Sequence, residues 1–269
     1  MDFERLNTSM TKAIAMFSGG VASWVAAKRA SQKYGVANTT LLFADTKGED
    51  EDLYRFLEEG AANIGAPLVR IAEGRTIWEV FRAERFLGNA RIDPCSKILK
   101  REVLDAWVEA NCDPLETVIV HGFDWSEGHR FQRMLSYGGK WQREAPLLEP
   151  PYLNKAGLIA LCRAEGLEPP RLYAMGFQHN NCGGGCVKAG QAAFAQLLRV
   201  MPERYREWEE NEEAIRAHLG KDVSILTDRT NAERHPLTLR EFRERKQAGG
   251  QHDLMDWGAC GCFSAPPVA

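Results

Sequence analysis

Four short apolar runs punctuate the first half of this chain: AIAMF at 13–17, TTLLFAD at 39–45, PLVRIA at 67–72 and TVIVHGF at 117–123. Each has the length and composition of a buried strand. Between them, apolar residues return at helical spacing: Val21, Trp24 and Val25; then Leu53, Phe56, Leu57, Ala61 and Ile64; then the stretch 76–86. Leu99, Val103, Leu104, Trp107 and Val108 mark a further helix from about 96 to 111. Strands that alternate with helices predict an α/β fold, a doubly wound parallel sheet covered on both faces. Ligands in such folds sit beyond the carboxyl ends of the strands. The polar clusters at 18–23, 45–49 and 121–130 fall at those ends.

After about residue 145 the texture changes. Prolines at 146, 150, 151, 169 and 170 surround one short helix, KAGLIALCRAEG, and a glycine- and cysteine-rich knot, HNNCGGGCVKAG, comes next. A helical stretch then runs to about Leu219 with a break near Pro202, and a polar segment ends in WGACGCF. The expected organisation is a nucleotide-binding α/β domain over 1–175 and a C-terminal helical, cysteine-containing portion over 176–269. With 269 residues, 44% of them apolar, a sizeable core is within reach. A net charge of −3 gives no bulk attraction to nucleic acid. No apolar run approaches the roughly 18 residues of a membrane span, and MDFERLNTSMTK has neither part of a secretory signal. The expectation is a cytoplasmic protein with no membrane partner.

The first strand–helix junction reads Ser18-Gly19-Gly20-Val21-Ala22-Ser23. It is neither the dinucleotide fingerprint nor the P-loop. Small residues nevertheless let backbone N–H groups approach a phosphate, and a helix N-terminus adds its positive dipole end. Ser18 and Ser23 bring hydroxyl donors; the alternative is a bare turn that the glycines permit. Lys97, Lys100 and Arg101 stand at i, i+3 and i+4, and His129, Arg130 and Arg133 come after the strand at 117–123. Two basic clusters after different strands would converge on a shared polyphosphate. Asp124 and Glu127 are candidate oxygen ligands for Mg²⁺.

Seven cysteines, an odd number, argue against a disulfide framework. Cys182 and Cys186 are separated by three glycines, and Cys260 and Cys262 by one. Thiolate pairs on turns suit tetrahedral Zn²⁺ or an iron–sulfur cluster, the alternative being small buried residues. Cys112 and Cys162 lie within amphipathic helices and read as packing residues. The acidic run at 203–213, ERYREWEENEE, reads as an exposed helix face or a protein-partner surface.

Several of these segments together resemble the PAPS reductase-like branch of the adenine nucleotide alpha hydrolase (PP-loop) superfamily. Ser18–Ser23 is similar to its SGGxxS pyrophosphate loop, with Ala22 where many members have Asp. Asp45-Thr46 resembles its nucleotide-reading Asp/Asn-Thr-Gly, and Cys95-Ser96-Lys97 with Lys100-Arg101 resembles its Cys-x-x-x-Lys segment. His121–Arg130 is similar to its Gly-x-Arg-x-x-Glu-Ser-x-x-Arg stretch, and Arg171-Leu172-Tyr173 through Gly176 to Cys182 resembles a further passage. The resemblance implies nucleotide or phosphate contacts from Ser18, Gly19, Gly20, Ser23, Asp45, Thr46, Lys100, Arg101 and Arg133. It implies catalytic roles for Cys260, Arg130 and Lys97. It implies metal ligation by Cys95, Cys182, Cys186, Cys260 and Cys262, with a [4Fe–4S] cluster favoured and Zn²⁺ the alternative. The substrate nucleotide is then ATP, cleaved between its α and β phosphates and coupled to sulfur or other group transfer onto an unspecified acceptor, nucleic acid among the candidates. PAPS, reduced to sulfite through a thiolate, is the alternative. A non-catalytic nucleotide sensor or subunit of a nucleic-acid modification or defence complex is the reading from another class.

Overall fold

A computed structural model describes residues 11–228 and 233–258. The strands β1 (Lys12–Met16), β2 (Thr39–Ala44), β3 (Leu68–Ile71), β4 (Thr117–Val120) and β5 (Gln142–Glu144) form one sheet in the order β3-β2-β1-β4-β5. All its pairs are parallel, and Ala13 of β1 stands opposite Thr39 of β2 and Val118 of β4. The expected α/β fold is therefore the one observed. Alternation along β1 divides the core. Ala13 and Ala15 pack with α1 (Val21–Tyr34), α2 (Glu51–Ile64) and α7 (Lys155–Ala164), whereas Ile14 and Met16 pack with α5 (Val103–Asn111) on the opposite face. The chain reverses its direction of travel across the sheet at β1, between β2 on one side and β4 on the other. This is the switch point at which such sheets open a crevice.

Strand β5 has no counterpart in the sequence expectation. Its residues, Gln-Arg-Glu, have no apolar pattern, and their place is set by partners. The His121 amide donates to the Glu144 carbonyl at 2.8 Å, extending the β4 ladder. The Glu144 carboxylate accepts from Lys33 at 2.9 Å and from the Tyr34 hydroxyl at 2.7 Å, both on α1.

The helix expected at 96–111 starts as α4 (Pro94–Ser96), widens into a π-helical turn at Lys97–Glu102 and continues as α5. A π turn inserts a residue into the helical repeat and rotates the succeeding residues about the axis. The expected single basic face is accordingly split. Lys100 is buried, and its ammonium lies 3.1 Å from the equally buried Glu49 carboxylate. Lys97 and Arg101 line a different recess.

Beyond α8 (Arg171–Ala174), helix α3 (Ile77–Ala83) shares one apolar cluster with α9 (Gln191–Val200), α10 (Pro202–Leu219) and α11 (Leu239–Gln247). Phe81, Phe194, Tyr205, Trp208 and Phe242 fill it. The antiparallel hairpin of β6 (Leu226–Asp228) and β7 (His235–Leu237) precedes α11. The expected polar segment after Leu219 thus contains a hairpin and a helix, and α11 opens with a Thr238–Glu241 capping box. The acidic run on α10 also divides. Glu203, Glu207 and Glu210 are exposed, but Glu209 and Glu212 are buried. Glu209 accepts from Arg243 at 2.8 Å, and Glu212 accepts the Ile225 and Leu239 amides at 2.8 and 2.6 Å. These two carboxylates hold α10 to the hairpin and to α11, so the run as a whole is not an exposed face. Among the described residues no helix is long and apolar enough to cross a membrane.

Candidate nucleotide site

The Ser18–Ser23 loop leaves β1 at the switch point and enters α1 directly. Gly19 adopts φ +77°, which only glycine takes without strain. A Cβ there would also meet Leu53 Cγ at 2.7 Å. Gly20 caps α1 from an extended conformation, and its carbonyl accepts from the Ser23 hydroxyl at 2.8 Å and the Trp24 amide at 3.1 Å. No acidic side chain occupies the first turn of α1, so the dipole end there is not neutralised by the helix itself. From the far end of the chain, the Asn180 amide donates to the Gly19 carbonyl at 2.8 Å and fixes the loop. Gly122, just past β4, lies so close that a Cβ would meet Ser23 Cα at 2.7 Å. Two backbones are therefore pressed together where β1 and β4 diverge.

This loop forms one wall of a cavity of about 840 Å³. Ser18, Gly20 and Ser23 face it from the loop, Lys100 from the π turn, and Arg130 and Arg133 from α6 (Gly128–Ser136). Lys155, Tyr173 and the segment 178–181 close the opposite side, and Trp257 and Gly258 reach its edge. A recess of this size accommodates a nucleotide. Cations from three elements face the same cavity as the loop.

Several cations are held in place by internal partners. Glu49 accepts from Lys100, from the Thr46 hydroxyl at 3.0 Å and from the Cys182 amide, so one carboxylate joins the end of β2, the π turn and the cysteine loop. Arg130 pairs with Glu127 and lies 5.2 Å over the Phe123 ring. Arg133 donates to the Tyr137 hydroxyl at 2.8 Å. Asp124 caps the turn that precedes α6, accepting the Ser126 amide at 2.9 Å, and the Glu127 carboxylate reaches back to the Asp124 amide at 3.4 Å. The two acids considered for Mg²⁺ therefore serve as helix-capping groups in this structure.

Two histidines, His121 buried and His179 half-buried, also face the cavity. Burial, with Lys155 and Lys100 nearby, brings His179 down to about 4. Burial, and after it the field of Arg143, brings His121 down to about 3. Both are neutral at physiological pH. His179 Nδ1 and Asn180 Oδ1 are buried without a hydrogen-bond partner among the described residues. Their place at the cavity wall makes them natural acceptors or donors for a bound molecule. Sequence reasoning did not assign Lys155, His179 or Asn180 to the nucleotide. Their only signal was polarity in the linker and knot.

Asp45 and Thr46 stand behind the cavity rather than on its wall. Burial would raise the Asp45 carboxyl, but hydrogen bonds from Arg70, the Lys47 amide and Tyr54 outweigh it and hold it below the usual range. Arg70 donates at 2.6 Å, the Lys47 amide at 2.8 Å and Tyr54 at 2.9 Å. Thr46 is spent on Glu49. Lys97 and Arg101 lie on the second recess.

Cys182 and Cys186 are hydrogen-bonded to each other, and that bond, together with burial, pushes the Cys182 thiol well up. Cys95 and Cys182 both pack against the cluster that includes Cys186. The Lys188–Asp93 pair at 3.5 Å lays the Cys95 segment beside the Cys186 segment. Among the described residues, however, no group of three or more His, Cys, Asp or Glu side chains converges as a metal centre requires. The described thiols thus supply a sulfur pair and not a complete ligand set. Cys260 and Cys262 lie outside the described residues, although Gly258 pairs with Ala189 in a β-bridge two residues before Cys260. Cys162 is buried and Cys112 half-buried, each against apolar neighbours as expected.

No protein-family model matches the sequence, and no curated protein sequence does. Three solved structures are similar in fold. One is a phosphoadenylyl-sulfate (PAPS) reductase from Candida auris in a phosphate complex, 15% identical, with TM-score 0.46 over 65% of this chain and 82% of that one. A second is the U34-tRNA thiolase NcsA from Methanococcus maripaludis with its [4Fe-4S] cluster, 16% identical, with TM-score 0.45 over 98% and 81%. A third is NMN synthetase from Francisella tularensis, 19% identical, with TM-score 0.37 over 59% and 63%.

Proposed function

We propose that the chain is an adenine-nucleotide enzyme that cleaves ATP between its α and β phosphates and passes the adenylate-activated group on to an acceptor. One observation carries this reading: the Ser18–Ser23 loop and the N-terminus of α1 open into the large cavity, and Lys100, Arg130 and Lys155 line its other walls. Loop N–H groups would grip the β and γ phosphates. Lys100, oriented by Glu49, would stabilise charge that develops as pyrophosphate leaves. An acceptor oxygen or carboxylate attacks the α-phosphorus, the bond to the bridging oxygen breaks, and pyrophosphate departs with the electron pair. Sulfur or nitrogen then displaces AMP from the activated acceptor. Asn180 Oδ1 would accept from the nucleoside, and His179 Nδ1 would accept or donate according to its tautomer.

A specific observation supports a second reading. Gly258, which bridges to Ala189, and Trp257 line the cavity, and Cys260 follows Gly258 by two residues in the sequence. With PAPS as substrate, the Cys260 thiolate would attack the sulfuryl sulfur, adenosine 3′,5′-bisphosphate would leave, and an external thiol would release sulfite from the resulting S-sulfocysteine. A metal or cluster would need Cys182 and Cys186 together with ligands from Cys95 or the tail; iron, sulfide and zinc contents of anaerobically purified protein test that point.

Calorimetry with ATP and PAPS, paired with turnover of ³²P-labelled ATP across candidate acceptors, tests the function. AMP and pyrophosphate are expected from ATP. Sulfite from PAPS without pyrophosphate from ATP would replace the first reading by the second. Tight binding with no turnover of either would make the chain a nucleotide sensor, and no binding of either would overturn the nucleotide site.

A further inference from the structure

A second cavity of about 290 Å³ shares Met16 and His121 with the large one. It opens at the same carboxyl edge of the sheet. Met16 ends β1, His121 comes directly after β4 and Arg143 is the middle residue of β5. Lys97 and Arg101 reach it from the π turn and Tyr137 from the end of α6.

Arg143 is the unusual group here. Its Nη1 lies 3.2 Å from His121 Nε2 and 3.9 Å from Met134 Sδ. The imidazole is neutral, so neither neighbour supplies a countercharge. Among the described residues no carboxylate comes within ion-pair reach of this guanidinium, and burial pulls it below its ordinary value against the field of Asp105. A guanidinium partly drawn out of water without an ionic partner favours binding an anion. The guanidinium fork is the group best shaped to meet a carboxylate or phosphate with two parallel hydrogen bonds. The other charges agree. Lys97, Arg101 and Arg143 face the cavity against Glu102 and Asp105. Glu102 sits 3.7 Å from Lys97, and desolvation raises the Asp105 carboxyl above its ordinary value.

We propose that this second cavity is an oxyanion subsite in which the Arg143 fork holds a carboxylate or phosphate, with Arg101 and Lys97 also lining it. The subsite is separate from the glycine loop and stands on its own geometry. Two sources share the chemistry: the acidic group of a second substrate, and an additional phosphate on the ribose of the nucleotide.

Inorganic phosphate is the probe, titrated calorimetrically into the full chain with and without saturating AMP. Phosphate is expected to bind whether or not AMP is present. Arg143→Gln should weaken phosphate binding by about tenfold or more, the loss of a charge-assisted pair, while AMP affinity stays within about threefold. Arg143→Lys should restore part of the loss. Arg101→Gln, at the rim of the cavity, gives a second variant should Arg143→Gln unfold, with circular dichroism as the check, and should likewise weaken phosphate. Adenosine 3′,5′-bisphosphate separates the sources. If it displaces phosphate and itself loses affinity in Arg143→Gln, the anion belongs to the nucleotide; if it and phosphate bind together, the anion belongs to a second molecule. Phosphate displaced by AMP one for one, or unaffected by both variants, would overturn the subsite. A failure of AMP to bind bears on the nucleotide site alone, because the Arg143 dependence of phosphate is read without it.

Discussion

Single atoms decide what the Ser18–Ser23 loop can do. Ser23 spends its hydroxyl on the Gly20 carbonyl, whereas Ser18 faces the cavity from the end of β1. Ser18→Ala is therefore expected to weaken ATP binding by about tenfold, the worth of a hydrogen bond to a charged group. Ser23→Ala should act less, through the shape of the turn. Unchanged ATP affinity in both variants, measured by calorimetry, would return the loop to a structural turn. Gly122 supplies an independent test. A methyl group there meets Ser23 backbone atoms at 2.7 and 2.9 Å, and backbone has little room to yield. Gly122→Ala should cost roughly 1–3 kcal/mol of stability, the usual penalty of overpacking, and should lower ATP affinity by displacing the loop. A denaturation midpoint equal to that of the wild type would show that the two backbones separate freely.

Helix α10 carries the most unusual carboxylate at the scale of elements. Burial pushes Glu212 up to about 7 despite two backbone amides that favour its charged form. Folded Glu212 thus binds its proton more tightly than the unfolded chain, whose glutamates titrate near about 4.3. Its stabilising contribution is full below that range and is lost as pH rises through about 7. The expected loss is on the order of 3 kcal/mol between about pH 4.5 and about pH 7.5. Glu212→Gln should flatten this part of the stability–pH curve relative to wild type in urea titrations across that window. Equal slopes in the two proteins would show that Glu212 is not the titrating group. Neighbouring Glu209, by contrast, is held below the usual range chiefly by its Arg243 hydrogen bond, which outweighs desolvation.

Glu49 joins parts of the whole molecule that are far apart in sequence. Its carboxylate meets Lys100, Thr46 and the Cys182 amide, and both Glu49 and Lys100 are buried. Breaking a buried ion pair by removing one member typically costs about 3–5 kcal/mol. Glu49→Gln should therefore destabilise strongly, and Glu49→Gln with Lys100→Met should recover much of the loss. A double mutant as unstable as the sum of the single ones would show that the two side chains are not coupled.

The four apolar strands, their order of alternation with helices and the glycine loop were legible in the sequence, because each is written in local periodicity or in a few adjacent residues. Val21, Trp24 and Val25, for example, mark α1 without reference to any other element. Strand β5 was not legible: Gln142, Arg143 and Glu144 are polar, and only the β4 ladder and the α1 side chains make them a strand. The same holds for the charges. Sequence spacing put Lys97, Lys100 and Arg101 on one face, but a π turn, which no local pattern announced, sends Lys100 to Glu49 and the other two to a second cavity. Asp45 looked like a nucleotide reader and in the fold holds Arg70 and Tyr54. Chain-local chemistry determined where the glycine loop stands. Burial and pairing between segments distant in the chain decided which cations face it, because a charge inside a protein goes where its partner is.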